Sequence, residues 1–575
     1  MYYQKNLFDY LPVSASRFPK KIAFSDEKNE LSYKQMLDRS YRAGAFLCRK
    51  FGAVSKPVAV AVGRTADTIA AFTSILAAGM FYVPIDTDMP CQRMRNILKK
   101  VEPVCFMMPK SLEKKLEGVS DICGFVTYEE AFYWDMPAGG VEADREGAET
   151  GGRAAGSEDA ESCGSTAVSE DAEAGGSAAV GEGAEAGGSA ANSDDDKNVE
   201  ACRRVCDEAR EKVLDTDPAY MIFTSGSTGF PKGIVISHRS VIDFTEWMSE
   251  TFEFCEDDIF GNQAPFYFDL SVKDIYQTLK NGASCHIIPK KMFMFPKLLL
   301  ELAEKKHITA FVWATSAFHL VANSGALSKV QPSSLKQVIL GGEALGAKQL
   351  NVWKRALADV RYVNLYGPTE VTVDCAYYII DRDFEDHEMI PVGRACKNMQ
   401  IMLLDDDLKP VPSGMPGEIC VRGAGVALGY YGDTEKTSAA FIQNPLNDRY
   451  RDIVYRTGDI GVMKDDGLIY FKSRGDGQIK HMGYRIETGE IETSLNSLPE
   501  IENAICIFDD AKDKIVAFYS GNCDKQEIIK KLSDLVPKYM YPNIFIKLEE
   551  LPVNANGKTD RARLKKEYSE GRFDD

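Results

Sequence analysis

The stretch AYMIFTSGSTGFPKG, residues 219–233, joins a short apolar run to a loop rich in glycine, serine and threonine. The run AYMIF is typical of a buried strand. The loop can turn backbone N–H groups and hydroxyls toward phosphate oxygens, because glycine adds no side chain that blocks a close approach. A Walker loop requires GxxxxGK[ST], whereas Pro231 precedes Lys232 here and Gly233 follows it, which disfavours a P-loop kinase. The pattern suits another kind of phosphate loop, or, taken alone, an ordinary flexible turn.

Apolar strand patterns recur on both sides of this loop and alternate with helical patterns. VAVAVGR (58–64) precedes the helical TADTIAAFTSILAAG (65–79), and ITAFVWA (308–314), LKQVILGG (335–342) and VRYVNLYG (360–367) follow later. This alternation predicts an α/β fold of layered sheets with helices on their faces. Ligands of such folds bind beyond the carboxyl ends of the strands.

The texture of the sequence changes after about residue 474. Shorter strand and helix patterns follow, in IENAICIFDD (501–510), KIVAFYSG (514–521) and KQEIIKKLSDLV (525–536). We therefore expect a large N-terminal domain over residues 1–474 and a small, mobile α+β C-terminal lid domain over residues 475–575.

Most of the negative charge of the chain lies in residues 138–200. That segment carries a net charge of −13 out of −18, and residues 145–192 are four copies of a 12-residue unit such as SEDAEAGGSAAV (169–180). The unit has no aromatic residue, so it buries too little apolar surface to offset the entropy of ordering. We expect residues 138–200 to be a disordered insertion in the N-terminal domain.

The charge and hydropathy of the remaining chain exclude several classes of partner. Outside the insertion the net charge is only −5, which offers no basic surface for nucleic acid. No apolar run approaches the roughly 18 residues that a membrane helix requires, so no membrane insertion is expected. The N-terminal residues lack the pattern of a secretory signal, and we expect a cytoplasmic protein.

The loop TSGSTGFPKG (224–233) resembles the signature of the adenylate-forming superfamily, which includes acyl-CoA synthetases, luciferases and amino-acid adenylation domains. The other motifs of that superfamily follow in the family's order: LAAGMFYVPID (76–86), FDLS (268–271), GGEAL (341–345), NLYGPTE (364–370), GEICVRGAGVALGYY (417–431), YRTGD (455–459), SRGDGQIKHMGYRIETGEIE (473–492) and LPVNANGKTDR (551–561). The resemblance covers nearly the whole chain apart from the insertion. It implies that an acid is joined to AMP from ATP and is then passed to a thiol.

The resemblance also implies which residues bind ATP and Mg²⁺. Tyr366 is expected to stack on adenine, Asp459 to accept both ribose hydroxyls, and Glu370 with Thr224 to contact Mg²⁺. In isolation, Tyr366 would fit a core aromatic and Asp459 a turn cap. The complete ATP-binding set is Thr224, Ser225, Gly226, Ser227, Thr228, Gly229, Lys232, Gly342, Glu343, Asn364, Leu365, Tyr366, Gly367, Pro368, Thr369, Asp459, Arg474 and Lys558.

Lys558 is the catalytic residue that the resemblance implies. A compact ammonium can bridge the substrate carboxylate and the α-phosphate as charge develops between them. Asp476 matches the hinge of the superfamily, about which the C-terminal domain would turn to withdraw Lys558 and admit the thiol. The chain departs from the usual pattern at Ser473, where the family often has glycine, and at His481-Met482.

Asp269 in FDLS bears on which acid is activated. In amino-acid adenylation domains the matching aspartate pairs with the α-ammonium group of the substrate; the alternative for Asp269 is an aspartate that caps a helix. The resemblance places the wall of the substrate pocket at Asp269, Leu270, Lys273, Ile339, Gly341, Leu365, Val373 and Asp374, with Val312 placed less securely.

Two kinds of amino acid compete as the substrate. FDLSVKDIY (268–276) resembles D-alanine–carrier protein ligases, but those proteins usually have cysteine at the position of Gly341 and an apolar residue at that of Lys273. Lys273, Gly341, Val373 and Asp374 together resemble peptide-synthetase pockets for glutamate or a similar polar amino acid. A third possibility is that Lys273 and Asp374 pair only with each other.

The predicted activity is formation of an aminoacyl-AMP with release of pyrophosphate, then transfer to the phosphopantetheine thiol of a separate carrier protein. The carrier is expected in trans because only 14 residues follow Arg561. The alternatives are a CoA ligase for an organic acid that is not an amino acid, and a non-catalytic nucleotide-binding regulatory partner.

Overall fold

The structure is a computed structural model that describes residues 4–52, 54–137, 188–225, 231–474, 478–509, 511–552 and 559–573; the side chains of 188–193, 474 and 562 fall outside this description. The first part of the large domain consists of α1 (Tyr10–Arg17), β1 (Ile22–Ser25), β2 (Glu30–Ser32), α2 (Tyr33–Phe51), β3 (Pro57–Val62), α3 (Ala66–Ala77), β4 (Phe81–Asp86), α4 (Cys91–Val101), β5 (Phe106–Met108), α5 (Glu113–Leu116), β6 (Phe125–Thr127), α6 (Tyr128–Phe132), α7 (Gly188–Glu211) and β7 (Pro218–Thr224).

The large domain continues as a second run of strands and helices. These are β8 (Lys232–Ser237), α8 (His238–Phe252), β9 (Ile259–Asn262), α9 (Leu270–Asn281), β10 (Ser284–Ile287), α10 (Pro296–Lys305), β11 (Ala310–Ala314), α11 (Thr315–Asn323), β12 (Gln337–Gly341), α12 (Ala347–Ala356), β13 (Arg361–Tyr366), β14 (Ala376–Ile379), β15 (Arg394–Ala395), β16 (Met399–Leu404), β17 (Pro416–Gly423), β18 (Gly429–Tyr430), α13 (Thr434–Ala440), β19 (Phe441–Gln443), β20 (Ile453–Met463) and β21 (Ile469–Arg474).

Two sheets with helices between them form the layers of the large domain. One sheet has the order β15-β14-β13-β12-β11-β9-β10-β1-β2, and the other has the order β18-β8-β7-β4-β3-β5-β6. The helices α3 and α9 contribute to the core that both sheets share. The hydroxyls of Tyr82 on β4 and Tyr276 on α9 lie 3.0 Å apart, which ties one sheet to the helix beneath the other. The predicted α/β fold is confirmed.

Three neighbouring strands position the site. β11 pairs in parallel with β12, and β12 pairs in parallel with β13. The strands predicted at 58–64, 308–314, 335–342 and 360–367 are all present, as β3, β11, β12 and β13, and the predicted helix is α3. The carboxyl ends of β11, β12 and β13 therefore meet at one edge of the sheet, as parallel pairing requires.

The small domain follows β21 and has its own core. It consists of β22 (Gln478–His481), β23 (Tyr484–Glu487), α14 (Thr488–Asn496), β24 (Ile501–Asp509), β25 (Lys514–Gly521), α15 (Lys525–Leu532), β26 (Ile544–Lys547) and α16 (Arg561–Ser569). The two apolar clusters in this segment contain no residue of the large domain. The predicted boundary after residue 474 falls between β21 and β22.

The prediction that residues 138–200 are disordered is wrong for the last part of that range, because α7 begins at Gly188. Cys202, Cys206 and Ala209 recur at helical spacing and are buried. Cys202 and Cys206 belong to the same core cluster as residues of α2, which contacts α7 along its length. The charge count that ended the range at residue 200 cut across this helix, whose buried positions Cys202, Cys206 and Ala209 come after that residue. Residues 138–187 lie outside the described residues.

The described helices include none that combines the length and the apolar character needed to cross a membrane.

Candidate active site

The turns that follow β12 and β13 lie side by side at the edge of the sheet. Ala314 is paired with Gly341, and Leu340 with Asn364. Gly342 has a φ of +95°, a region that favours glycine, and it starts the turn after β12. At Gly367, a Cβ atom would come within 2.4 Å of the Cα atom of Asp374, so only glycine lets these two segments approach. Both glycines serve the shape of the site.

Residues predicted to bind the adenosine part of ATP surround a cavity of about 610 Å³ between the two domains. The Tyr366 hydroxyl donates to Asp459 Oδ2 at 2.6 Å, so the predicted adenine and ribose contacts adjoin. The Asn364 side chain donates to the Pro391 carbonyl, and its Oδ1 atom is buried without a partner among the described residues. That free acceptor suits an exocyclic amino group such as that of adenine. The predicted residues lining this cavity are Gly342, Glu343, Asn364, Leu365, Tyr366 and Asp459.

One of the segments of the C-terminal domain that border this site is the hairpin formed by β22 and β23, which we call the closing hairpin. Its Gly483 N–H donates to Glu343 Oε1 at 2.6 Å. The Lys480 ammonium lies 5.7 Å from the centre of the Tyr366 ring. Met482, at the turn of the closing hairpin, has a φ of +53° and is largely exposed.

At the phosphate end of the site, the predicted ligands are held by the closing hairpin. Glu370 is fully buried and forms an ion pair with Arg485 at 2.5 Å, while the Tyr430 hydroxyl donates to its other oxygen at 3.0 Å. Lys232 lies 3.3 Å from a carboxylate oxygen of Glu487. Burial alone would raise the pKa of Glu370, but the positive charges of Arg485 and Lys232 hold that pKa at about 2.

The oxygen atoms at this end fit a magnesium ion. Mg²⁺ prefers hard oxygen ligands and usually combines one or two carboxylates with phosphates and water. Glu370 supplies an ionised carboxylate, and Thr224 Oγ1 is buried without a hydrogen-bond partner among the described residues. The described part of the chain has no cluster of three or more His, Cys, Asp or Glu that would form an all-protein metal site.

Asp269 lies at the wall of a second, small cavity of about 90 Å³. It occupies the N-cap position of α9, but its side chain makes no capping hydrogen bond, which disfavours the helix-cap alternative. Burial raises the pKa of Asp269, opposed chiefly by a hydrogen bond with Thr369. A carboxylate whose ionisation costs free energy at a cavity wall is suited to a cationic ligand.

Lys273 and Asp374 form a buried ion pair, with their atoms 2.9 Å apart and side-chain exposures of 0% and 1%. Asp374 lines the small cavity, whereas Lys273 is not among its lining residues. Asp374 Oδ1 has no partner among the described residues, and a Cβ atom on Gly341 would lie 3.2 Å from it. The ion pair between Lys273 and Asp374, which was one of the alternatives predicted from the sequence, is therefore present.

The rest of the predicted pocket packs around this pair. Val373 has a φ of +71°, unusual for a β-branched residue, and the Asp374 N–H donates to the Thr372 carbonyl across it. This tight turn presents Asp374 to the cavity. The apolar positions Leu270, Val312, Ile339 and Leu365 are all buried.

Several predicted residues lie outside the described residues. These are Gly226, Ser227, Thr228 and Gly229 of the phosphate loop, the hinge residue Asp476 and the catalytic residue Lys558. The backbone of Arg474 ends β21 and pairs with Asp459, while its side chain is not described. Pro368 and Thr369 line the small cavity.

The structure also brings to the site several charged and aromatic residues that the sequence motifs did not predict. They are Arg93, Lys480, Tyr484, Arg485, Glu487 and Tyr539. Lys480, Tyr484, Arg485 and Glu487 lie in the quoted motif SRGDGQIKHMGYRIETGEIE, where charges in a segment after the hinge could have been flagged. No comparable signal marks Arg93, which contacts the buried carboxylate of Glu490 in the small domain.

The layered fold, the ordered motifs and a cavity of about 610 Å³ lined by the predicted adenosine residues together point to an enzyme that activates acids with ATP. The chain belongs to the AMP-binding enzyme family, whose profile matches residues 11–431. This is the adenylate-forming superfamily that the ordered motifs indicated.

Known proteins show the same fold and related sequences. The dimodular nonribosomal peptide synthase of Bacillus subtilis is 30% identical over 95% of this chain, and the chain spans 21% of the length of that synthase. The Vibrio cholerae adenylation domain AlmE, solved with glycyl-adenosine-5'-phosphate, aligns with a TM-score of 0.74 at 19% identity over 99% of both chains. The o-succinylbenzoate CoA synthetase MenE of B. subtilis, solved as a double mutant, aligns with a TM-score of 0.73 at 17% identity over 98% of both chains.

Proposed function

We propose that this chain activates an amino acid as its aminoacyl-AMP and transfers the aminoacyl group to the phosphopantetheine thiol of a carrier protein. The observation that carries the proposal is Asp269, a carboxylate on the wall of the small cavity whose pKa is raised by burial. An α-ammonium group would compensate that charge, whereas an acid without an amino group would leave it uncompensated.

In the first half-reaction the amino acid would occupy the small cavity and the adenosine part of ATP the large one. With the α-ammonium on Asp269, the substrate carboxylate would face Thr369, which lines the same cavity as Thr224 and Gly342. Lys558 would offset the charge that develops between carboxylate and α-phosphate. Mg²⁺, held through Glu370 and Thr224, would neutralise charge on the leaving pyrophosphate.

Transfer to a thiol accords with the docked position of the small domain. The closing hairpin occupies the phosphate end, while a large cavity remains around the predicted adenosine residues. An adenylate can therefore keep its nucleotide site after pyrophosphate has left. Similarity to a nonribosomal peptide synthase supports a carrier protein as the acceptor.

The floor of the small cavity favours particular side chains. Asp374 lines this cavity, and its buried Oδ1 atom has no partner among the described residues, so a substrate carboxylate there would meet a like charge. We infer an amino acid whose side chain either is as small as that of alanine or carries a hydrogen-bond donor. This favours the D-alanine alternative over glutamate, and it keeps polar, donor-bearing amino acids.

Exchange of pyrophosphate into ATP, measured for all L- and D-amino acids, tests the proposal. Asp269→Ala should lower kcat/KM for the amino acid by roughly thirty- to several-thousand-fold. Losing one partner of a buried charged contact costs about 2–5 kcal/mol, which corresponds to that range. ATP binding should change little. Asp383→Ala, which alters an exposed aspartate, serves as the control. Activation of an organic acid with no amino group, undiminished in Asp269→Ala, would instead identify a CoA ligase; no ATP use with any acid would identify a non-catalytic partner.

A further inference from the structure

The closing hairpin contacts three of the residues predicted to hold the triphosphate and its metal. The Ser225 hydroxyl donates to the Arg485 carbonyl at 2.7 Å, and the Glu487 N–H donates to the same hydroxyl at 3.1 Å. Arg485 and Glu487 then point their charged groups at Glu370 and Lys232, respectively. Alternate residues of a strand project on the same face, which is why residues 485 and 487 act together.

Each charge on the closing hairpin is opposite to that of the group it contacts and has the sign of the ligand predicted for that group. On Glu370 the guanidinium of Arg485 is a cation where the predicted ligand is Mg²⁺. On Lys232 the carboxylate of Glu487 is an anion where the predicted ligand is a phosphate. All four side chains are at least largely buried, with exposures of 14% and 0% for the first pair and 13% and 6% for the second.

Each of these contacts uses groups that the nucleotide would need. Glu370 has one oxygen on Arg485 and the other on the Tyr430 hydroxyl. The Lys232 ammonium is paired with Glu487, which also accepts from Gln478 at 2.6 Å. A buried charge left without a partner is strongly unfavourable, so Glu370 and Lys232 require replacement partners whenever their nucleotide partners are absent.

Resting on the proposed function, we propose that Arg485 and Glu487 exchange places with Mg²⁺ and pyrophosphate on Glu370 and Lys232. Docking of the closing hairpin and binding of magnesium pyrophosphate are then mutually exclusive. Release of the product lets the hairpin dock, and the docked hairpin prevents its return. Arg485 and Glu487 are positioning residues, since they act through Glu370 and Lys232 rather than on the reacting atoms.

Equilibrium binding of inorganic pyrophosphate to the full chain tests the exchange without turnover. In the presence of Mg²⁺, Arg485→Gln and Glu487→Gln should each bind pyrophosphate at least about fivefold more tightly than the wild type, because the competing docked state is weakened. Without Mg²⁺ pyrophosphate should bind more weakly to every form, but both gains should remain, since either variant weakens the docked hairpin that excludes pyrophosphate. Arg563→Gln, an exposed arginine of the small domain, is the matched control.

The same variants give a kinetic readout. Thioester formation from supplied aminoacyl adenylate should slow several-fold in Arg485→Gln and Glu487→Gln, while Arg563→Gln keeps the wild-type rate. Unchanged or weaker pyrophosphate binding in both hairpin variants would overturn the exchange. Because pyrophosphate binding needs no amino acid, failure of the amino-acid proposal leaves this result distinguishable.

Discussion

Two buried ion pairs each contribute a residue to the wall of the small cavity, and they differ in what they join. Lys273 and Asp374 connect α9 to the turn after β13 within the large domain. Glu370 and Arg485 connect the large domain to the small one. In the first pair one carboxylate oxygen is left without a partner among the described residues; in the second both oxygens are bonded.

The pKa values of the two carboxylates move in opposite directions. Burial raises the pKa of Asp374, which Lys273 only partly offsets, whereas Arg485 and Lys232 together hold the pKa of Glu370 at about 2. A pair inside one domain persists in every arrangement of the domains and can shape a pocket. A pair between domains must break when the two domains separate, so its formation depends on the domain arrangement and stabilises one arrangement over the other.

The largest expected effect comes from Lys558, which would enter the site in the adenylating arrangement, when the interdomain pair is broken. Lys558→Ala should lower adenylate formation by about 100- to 1000-fold, the cost of removing one group that stabilises transition-state charge. Thioester formation from supplied aminoacyl-AMP should be largely retained, because the C-terminal domain is expected to withdraw Lys558 before the thiol enters. Single-turnover assays of each half-reaction give the comparison, and equal loss of both in a folded variant would contradict this role.

Lys273→Met tests the pair inside the domain. Removing one partner of a buried ion pair costs about 3–5 kcal/mol of stability, since the other charge is left uncompensated. Thermal unfolding should show this loss, and the double variant Lys273→Met with Asp374→Val should recover much of it. The ranking of amino acids in pyrophosphate exchange should stay as in the wild type. A shift of preference from glutamate toward apolar amino acids would instead place Lys273 on the substrate.

The two pairs also show which features of the site could be predicted from the sequence and which could not. Motif order assigned Glu370 and Asp374 to the site, because both stand close to the NLYGPTE anchor. The contact of Arg485 with Glu370 spans 115 positions and depends on how two domains dock, which no local pattern encodes. Periodicity predicted β11, β12 and β13 because buried strands have a simple apolar signature, whereas charge counting concealed α7. Lys273 and Asp374 were named, but sequence alone left their pairing open.

Acid should separate the two pairs by opposite slopes of stability against pH. The pKa of Glu370 is lower in the folded protein than its ordinary value of 4.5, so its stabilising contribution is complete above about pH 4.5 and is lost as the pH falls toward 2. The full loss amounts to about 3 kcal/mol. Asp374 has a raised pKa, so its protonation on acidification favours the folded state. As the pH is lowered from 5.5 to 3.5, the thermal midpoint of Glu370→Gln should fall less steeply than that of the wild type. The midpoint of Asp374→Asn should fall more steeply than that of the wild type. The reverse order would contradict both pKa assignments.

The smallest effect is expected where ion pairs are exposed, at the ends of the acidic insertion. Arg42 contacts Asp135 on one side of it and Asp195 on the other, and these carboxylates are 76% and 64% exposed. The Met136 N–H also donates to Asn198 at 2.8 Å, so both ends are held together by the large domain itself.

Exposed pairs contribute about 0–1 kcal/mol, and loop length changes stability only slowly. Replacing residues 141–187 with a short Gly-Ser linker, which keeps α7, should therefore leave the thermal midpoint and pyrophosphate exchange nearly unchanged. Asp195→Ala in the same background removes one of these ion pairs at its exposed partner and should cost no more than about 1 kcal/mol. A large loss of activity in the shortened chain, with an unchanged thermal midpoint, would show instead that the insertion acts on the site.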